Sequence, residues 1–107
     1  NKKTKKLIID EKARRIWIGE KELVPPLSVP QYKLISLLYR SENIVISREE
    51  IIREVWGEDE AIGGSDQALD ALVRRLRSRL SKDDPRHEYI ETIRGVGFMF
   101  KNDSFEA

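Results

Sequence analysis

The 107-residue chain contains no cysteine and only one histidine, His87. The lack of cysteine excludes disulfides, thiolate nucleophiles and cysteine-based metal sites. His87 stands in a polar turn beside Pro85 and Arg86, and we interpret it as a surface residue rather than as a catalytic base or metal ligand. No pair of carboxylates lies in an apolar setting, and no glycine-rich phosphate-binding motif follows a strand. We therefore expect no enzyme, no metal site and no cofactor.

The chain also lacks any long hydrophobic run. It is 39% hydrophobic and 36% charged, which is typical of one globular domain with a single core. The apolar run near the N-terminus is too short for the core of a signal peptide or for a membrane span. Because the chain does not begin with Met, we expect a piece of a longer protein. In this interpretation residues 1–6 are a linker remnant, residues 7–102 form the domain and residues 103–107 are a tail.

The chain also has no large excess of positive or negative charge, since its formal net charge is +1. The charges are nevertheless segregated along the chain. Residues 2–6 are rich in lysine, residues 58–70 carry acids and no base, and residues 74–82 carry bases and no acid. Local fields of both signs are therefore expected, and a basic patch is more informative than the total charge.

The basic segment 66–82, DQALDALVRRLRSRLSK, has the spacing of an amphipathic helix that begins after the N-cap Ser65. A stripe about 60° wide on the helical wheel contains the apolar residues Leu69, Val73, Leu76 and Leu80. The opposite side, with its two flanking arginines, contains Gln67, Ala71, Arg74, Arg75, Ser78, Arg77 and Arg79.

Two interpretations fit this helix equally well on spacing alone. The small side chains of Ala71 and Ser78 would let the backbone approach a groove of double-stranded nucleic acid, where arginine binds guanine or phosphate. A solvated amphipathic helix with ion pairs such as Asp70–Arg74 would have the same pattern.

The rest of the chain predicts a small sheet, two further helices and a hairpin. Ser28 caps one helix, and Ser47 caps another, with Glu50 completing a capping box. At the C-terminus, residues 89–93 and 98–101 flank the turn that carries Arg94, whose glycines permit positive φ. An N-terminal antiparallel meander is predicted to bury Leu7, Ile9, Ile16 and Ile18.

The hairpin shifts the balance between the two interpretations of the basic helix. An isolated hairpin can be purely structural. One that offers Arg94 directly after a basic helix has the layout of a winged helix. Such a wing can reach phosphates or place an arginine in a narrow minor groove.

Together, the segments LSVPQYKLISLL, IVISREEIIREVWG, LDALVRRLRSRL and YIETIRGVGFMF resemble the OmpR/PhoB-type winged-helix DNA-binding domain of bacterial response regulators. The resemblance covers nearly the whole chain. It implies an α+β fold with a four-stranded N-terminal antiparallel sheet, three helices and a C-terminal β-hairpin wing. It also implies that helix 66–82 enters the major groove of double-stranded DNA and that wing 93–98 lies at the minor groove.

Matching positions of the family motif imply the roles of individual residues. Arg75 and Arg94 match base-reading positions. A loop at 58–64 matches the segment that contacts RNA polymerase, here through Glu58, Asp59 and Glu60. The positions that meet phosphates or flank the groove are Gln67, Ala71, Arg74, Arg77, Ser78 and Thr92.

The resemblance further implies a cytoplasmic protein that pairs on tandem half-sites under a regulatory domain attached before Lys2. Four residues depart from the family pattern, namely Gln67, Ala68, Leu72 and Phe98. The target is therefore expected to diverge at Gln67 and Leu72, and Phe98 lacks a tyrosine hydroxyl that could meet a phosphate. Two rival functions remain. One is a protein-interaction module that uses loop 58–64 or the N-terminal sheet, and the other is non-specific DNA coating.

Overall fold

The computed structural model describes residues 2–57 and 65–106. Three helices and eight short strands follow one another within these residues. In chain order they are β1 (Lys2–Lys5), β2 (Leu7–Asp10), β3 (Arg15–Ile18), β4 (Lys21–Glu22), α1 (Val29–Arg40), β5 (Ile46–Ser47), α2 (Arg48–Trp56), α3 (Asp66–Asp83), β6 (Ile90–Ile93), β7 (Gly97–Phe100) and β8 (Asp103–Glu106).

The N-terminal sheet is an antiparallel meander in the order β2-β3-β4. Leu7 pairs with Ile18 and Ile9 with Ile16, and all four side chains are buried, as the alternating pattern predicts. The α+β winged-helix fold is thus confirmed, but this sheet has three strands where four were expected.

The remaining N-terminal strand, β1, pairs with β8 at the other end of the chain. Asn102 brings these ends together. Its buried side chain accepts hydrogen bonds from the backbone N–H groups of Lys6 and Leu7 and donates one to the Leu7 carbonyl, at 3.2, 2.8 and 2.8 Å. The segments expected to be a linker remnant and a tail therefore form a two-stranded ladder. The predicted domain boundaries at residues 7 and 102 stay a prediction.

Serine caps begin all three helices, as the sequence predicts. The Ser28 hydroxyl accepts from the Gln31 backbone N–H, and the Gln31 side chain accepts from the Ser28 backbone N–H, so the complete capping box forms at α1. At α2 the Ser47 hydroxyl accepts from the Glu50 backbone N–H, and at α3 Ser65 caps the helix in the same way. Each such cap stabilises its helix by about 1 kcal/mol.

The core lies between the three helices and the C-terminal sheet. Within α1, Leu34, Ile35 and Leu38 are fully buried, and full burial of such a side chain contributes about 1.5–3 kcal/mol. The stripe predicted on α3 packs against the same core and is confirmed, since Leu69, Val73, Leu76 and Leu80 are all buried.

The wing belongs to a second antiparallel sheet in the order β5-β7-β6. Its turn requires glycine at Gly95, where φ is +78°. Gly97 is required for a different reason. A Cβ added there would lie 1.9 Å from the Ile46 carbonyl oxygen, because β5 and β7 approach closely at this point.

Contacts at the C-terminal end of α3 hold it against the N-terminal segment. Lys21 forms an ion pair with Asp83 at 3.2 Å, and Lys6 forms one with Asp84 at 3.5 Å. Asp84 also accepts a hydrogen bond from the buried Tyr89 hydroxyl, and burial, with this bond, raises the pKa of that phenol. These contacts join the C-terminal end of α3 to the N-terminal segment and to the residue before β6. Within the described residues, no helix has the length and apolar character needed to cross a membrane.

Candidate nucleic-acid interface

The outer face of α3 carries the residues that the helical wheel predicts. Gln67, Arg74, Arg75 and Ser78 are exposed, and Ala71 is half-buried. The side chains of Arg74 and Arg75 make no hydrogen bond or ion pair with any other described residue. Their charges are thus available to a ligand outside the chain.

The Asp70–Arg74 ion pair of the solvated-helix interpretation does not form between these described residues. Asp70 binds Arg48, the first residue of α2, through a contact of 2.8 Å between Oδ1 and Nη2. Arg48 also donates from Nε to Asp66 Oδ1 at 2.9 Å and from Nη2 to the Asp66 carbonyl oxygen at 3.1 Å. The hydrogen bonds to Asp70 and then Asp66 raise the pKa of Arg48 above its ordinary value.

Sequence reasoning missed Arg48, which is nevertheless central to this surface. Its single positive charge compensates part of the negative charge of the two acids on the N-terminal half of α3. A signal was present, because Asp66 and Asp70 are one turn apart on a face otherwise suited to a polyanion. Only the packing of α2 beside α3 identifies their partner.

On the wing, Arg94 is exposed and makes no hydrogen bond or ion pair with another described residue. It stands directly before Gly95, so the turn carries it away from the sheet. Thr92 is also exposed, but its hydroxyl oxygen accepts a hydrogen bond of 2.8 Å from Arg77 Nη2. Both wing residues that the sequence singled out therefore lie on the surface, and Thr92 contacts α3 through Arg77.

Arg77 is only half-exposed and is held within the protein. Besides its bond to Thr92, it donates from Nε and Nη2 to the Ile90 carbonyl oxygen, at 3.2 and 2.7 Å. Its guanidinium carbon lies 5.9 Å from the centre of the Phe98 ring, and that of Arg48 lies 5.6 Å from the same ring. One buried aromatic ring thus contacts guanidinium groups from both α2 and α3.

A groove of about 560 Å³ separates α3 from the wing. Its walls combine cationic and hydroxyl groups, the ordinary protein partners of phosphate oxygens, with the Asp70 carboxylate and the apolar side chains of Val73 and Phe98. Its lining includes Arg48, Arg74, Arg77, Ser78, Ser81 and Thr92. Arg75 lies on the other side of the outer face, about 100° further round the helix than Arg74.

Two of the residues that depart from the family pattern lie in the core. Leu72 was expected to alter the target, but its side chain is 5% exposed and packs within the core, which argues against a direct contact with DNA. Phe98 is 2% exposed and lies beneath Arg48 and Arg77, and the effect expected from its missing hydroxyl stays a prediction. The proposed polymerase-contact residues Glu58, Asp59 and Glu60 lie outside the described residues.

His87 makes local contacts. Its Nε2 lies 2.8 Å from the Lys101 carbonyl oxygen, and its ring stands edge-on to that of Tyr89, with centroids 4.4 Å apart. Among the residues that the structure describes, no cluster of three histidine, aspartate or glutamate side chains could hold a metal ion.

The family model described as "Transcriptional regulatory protein, C terminal" matches residues 21–100. The chain belongs to this family. The match includes α1, α2, α3 and the wing, which together build the basic surface. The OmpR/PhoB-type resemblance drawn from the sequence motifs is confirmed.

Relatives of known name are similar across most of the chain. The response regulator ArlR of Staphylococcus saprophyticus is 35% identical over 97 residues, which are 91% of this chain and 42% of the relative. The chain therefore spans less than half the length of this relative.

Solved structures of the family share the fold. The DNA-binding domain of Bacillus subtilis CssR is 32% identical, with a TM-score of 0.68 over 88% of this chain and 98% of that one. DrrB of Thermotoga maritima, an OmpR/PhoB homologue, is 26% identical, with a TM-score of 0.74 over 91% of this chain and 42% of that one.

Proposed function

We propose that the chain is a sequence-specific double-stranded DNA-binding domain, the effector part of a bacterial transcriptional regulator. Helix α3 enters the major groove, and wing residues 93–98 lie at the adjacent minor groove. The observation that carries the proposal is the position of Arg74, Arg75 and Arg94. All three side chains are exposed and make no hydrogen bond or ion pair with other described residues. Arg74 lines the groove between α3 and the wing, Arg75 lies about 100° further round the same helix, and Arg94 stands at the turn of the wing.

Each part of this surface has a separate role in the proposal. Arg75 reads a base in the major groove, since its planar fork matches the two acceptors of guanine. Arg94 enters the minor groove, where narrow A·T tracts have enhanced negative potential. The phosphate and flanking positions, which set the register without reading sequence, are Gln67, Ala71, Arg74, Arg77, Ser78 and Thr92.

The wider context is also part of the proposal. The domain performs no catalysis and uses no cofactor, and it acts in the cytoplasm. Two copies bind tandem half-sites, and a regulatory domain that precedes this one in the full-length protein controls them. Residues 58–60 contact RNA polymerase. Support comes from the named relatives, which are response regulators more than twice as long as the match.

The test is selection of bound sequences from random duplexes, followed by titration of the chain with a selected and a scrambled duplex over a range of salt. We expect one enriched motif, repeated if two copies pair. On both duplexes the log–log slope should be about −0.9 per phosphate contacted. Equal affinity for the two duplexes would indicate non-specific coating. A flat salt profile, or no binding at low salt, would support a protein-interaction module.

A further inference from the structure

Arg77 has an unusual position among the basic residues of the proposed interface. It lies on the flank of α3 next to the wing, and it is only half-exposed. Its guanidinium spans two parts of the DNA-facing surface, because α3 supplies the side chain and β6 supplies both acceptors. The acceptors are the Ile90 carbonyl oxygen and Thr92 Oγ1, with contacts between 2.7 and 3.2 Å.

These bonds use most of the donors of the side chain. A guanidinium has five N–H groups, one on Nε and two on each terminal nitrogen. Nε–H points to the Ile90 carbonyl, and the two hydrogens of Nη2 are taken by Ile90 and Thr92. Only the Nη1 hydrogens remain. A bidentate grip on a phosphate needs two donors from adjacent nitrogens of one edge, and neither edge retains such a pair.

The acceptors lie where they control the wing. Ile90 begins β6 and Thr92 is two residues further along it, and Arg94 follows directly after the strand ends at Ile93. Thr92 pairs across the hairpin with Phe98, whose ring also contacts the Arg77 guanidinium. Tying Ile90 and Thr92 to α3 therefore fixes the angle between the recognition helix and the strand that delivers Arg94.

We infer that Arg77 is a positioning residue, which braces the wing against α3 and acts on DNA through Arg94 rather than through a phosphate of its own. This inference rests on the proposed function. It explains why an arginine is needed at position 77, since a lysine ammonium has no planar fork with which to span a backbone carbonyl and a hydroxyl at once.

The test is a double-mutant cycle between Arg77→Lys and Arg94→Ala, read as affinity for the selected duplex. Arg77→Lys keeps the positive charge and removes the fork. We expect Arg77→Lys to weaken binding about tenfold, as loss of a single wing contact does, and to leave the salt slope unchanged. In the Arg77→Lys background, Arg94→Ala should have a much smaller effect than in the wild-type chain, because coupled residues are not additive.

Sequence preference gives a second readout that a general loss of structure would not produce. The Arg77→Lys chain should lose preference for A·T pairs beside the motif and keep its preference at the motif itself. A matched control is Arg79→Lys, which also removes a fork bonded to a backbone carbonyl, that of Pro25, at a site away from the wing. Its effect should be small and additive with that of Arg94→Ala.

If Arg77→Lys does not fold, Thr92→Val replaces it, since valine keeps the shape and removes the hydroxyl acceptor. The same non-additivity with Arg94→Ala is expected. Additive effects in the cycle, or wild-type affinity of Arg77→Lys, would overturn the inference and make Arg77 an ordinary phosphate contact. The double-mutant cycle is measured on a wild-type chain that binds the selected duplex. Failure of the wild-type chain to bind would overturn the proposed function itself.

Discussion

Six arginines of α2, α3 and the wing form two sets. The free arginines are Arg74, Arg75 and Arg94, whose side chains make no hydrogen bond or ion pair with other described residues. The tied arginines are Arg48, Arg77 and Arg79, which bind Asp66 and Asp70, Ile90 and Thr92, and Pro25, respectively.

The difference between the sets arises from neighbours rather than from residue type. A tied arginine lies where its helix meets another element, so a carboxylate, a carbonyl oxygen or a hydroxyl oxygen is within hydrogen-bonding distance. A free arginine has no acceptor among the described residues within hydrogen-bonding distance, although Arg74 lines the groove between α3 and the wing. Because a bonded guanidinium must give up its partners before it binds DNA, the free set is available for recognition and the tied set maintains the geometry of the surface.

The variant with the largest expected effect tests whether the wing is rigid enough to keep Arg77 tied while other arginines stay free. Because the added methyl group would overpack this site, Gly97→Ala should lower the free energy of unfolding by about 3 kcal/mol. Urea denaturation measures this change. The added Cβ would lie 1.9 Å from the Ile46 carbonyl oxygen, so β5 and β7 must separate and carry Thr92 away from Arg77.

Gly95→Ala is the matched control. It meets no atom within 4 Å but has a φ of +78°, so it should lower stability by about 1–2 kcal/mol. Equal losses for the two variants would show that β5 and β7 relax around the extra methyl group, and that the wing is less rigid than its contacts indicate.

A comparison of Arg75→Ala with Arg79→Ala tests the two sets directly, since both variants remove one positive charge from α3. Arg75→Ala should weaken binding to a selected duplex by about 1–3 kcal/mol and relax preference at one base position, without changing the unfolding transition. Arg79→Ala should affect binding less and stability more, because its bond to the Pro25 carbonyl is lost. Similar losses of affinity for both would mean that charge alone matters.

Arg48→Ala should reduce stability by about 1 kcal/mol, since its ion pairs with Asp66 and Asp70 are partly exposed and screened by water. Affinity for DNA should fall as well, because both carboxylates would face the phosphates uncompensated. Adding Asp70→Asn should restore part of the affinity, measured by the same titration. No recovery would indicate that Arg48 itself binds DNA, in which case it belongs with the free arginines.

The variant with the smallest expected effect adds one arginine to the free set. Gln67 is exposed at the N-terminal end of the outer face of α3, and Gln67→Arg should add one phosphate contact. The log–log salt slope should then become steeper by about 0.9. Gln67→Glu should have the opposite effect and weaken binding. An unchanged slope for Gln67→Arg would place position 67 beyond the reach of the DNA backbone.

Local signals predicted much of the fold. Serine caps at Ser28, Ser47 and Ser65 depend on residues three positions away, so they can be read directly from the chain. The buried stripe of α3 follows from helical periodicity in the same way. Leu72 shows the limit of that method. It lies just outside the narrow stripe, yet it is buried because neighbouring elements cover a wider arc of α3 than the stripe alone.

Pairing over long distances was not predicted. The β1–β8 ladder joins residues about a hundred positions apart, and the Asn102 side chain binds the Leu7 backbone beside it. No periodicity indicates such a contact. Arg77 is a similar case, because its role depends on a backbone carbonyl of β6 that has no sequence signature.

Composition, periodicity and capping residues by themselves determined that this chain forms capped helices, an Arg-rich outer face on α3 and a glycine-dependent hairpin, because each depends on interactions within a few residues. Only the tertiary structure decided which arginines remain free. That outcome depends on which acceptors the folded neighbours bring within hydrogen-bonding distance. Arg75 keeps its charge available for lack of such a neighbour, and Arg77 is held by Ile90 and Thr92 of the wing.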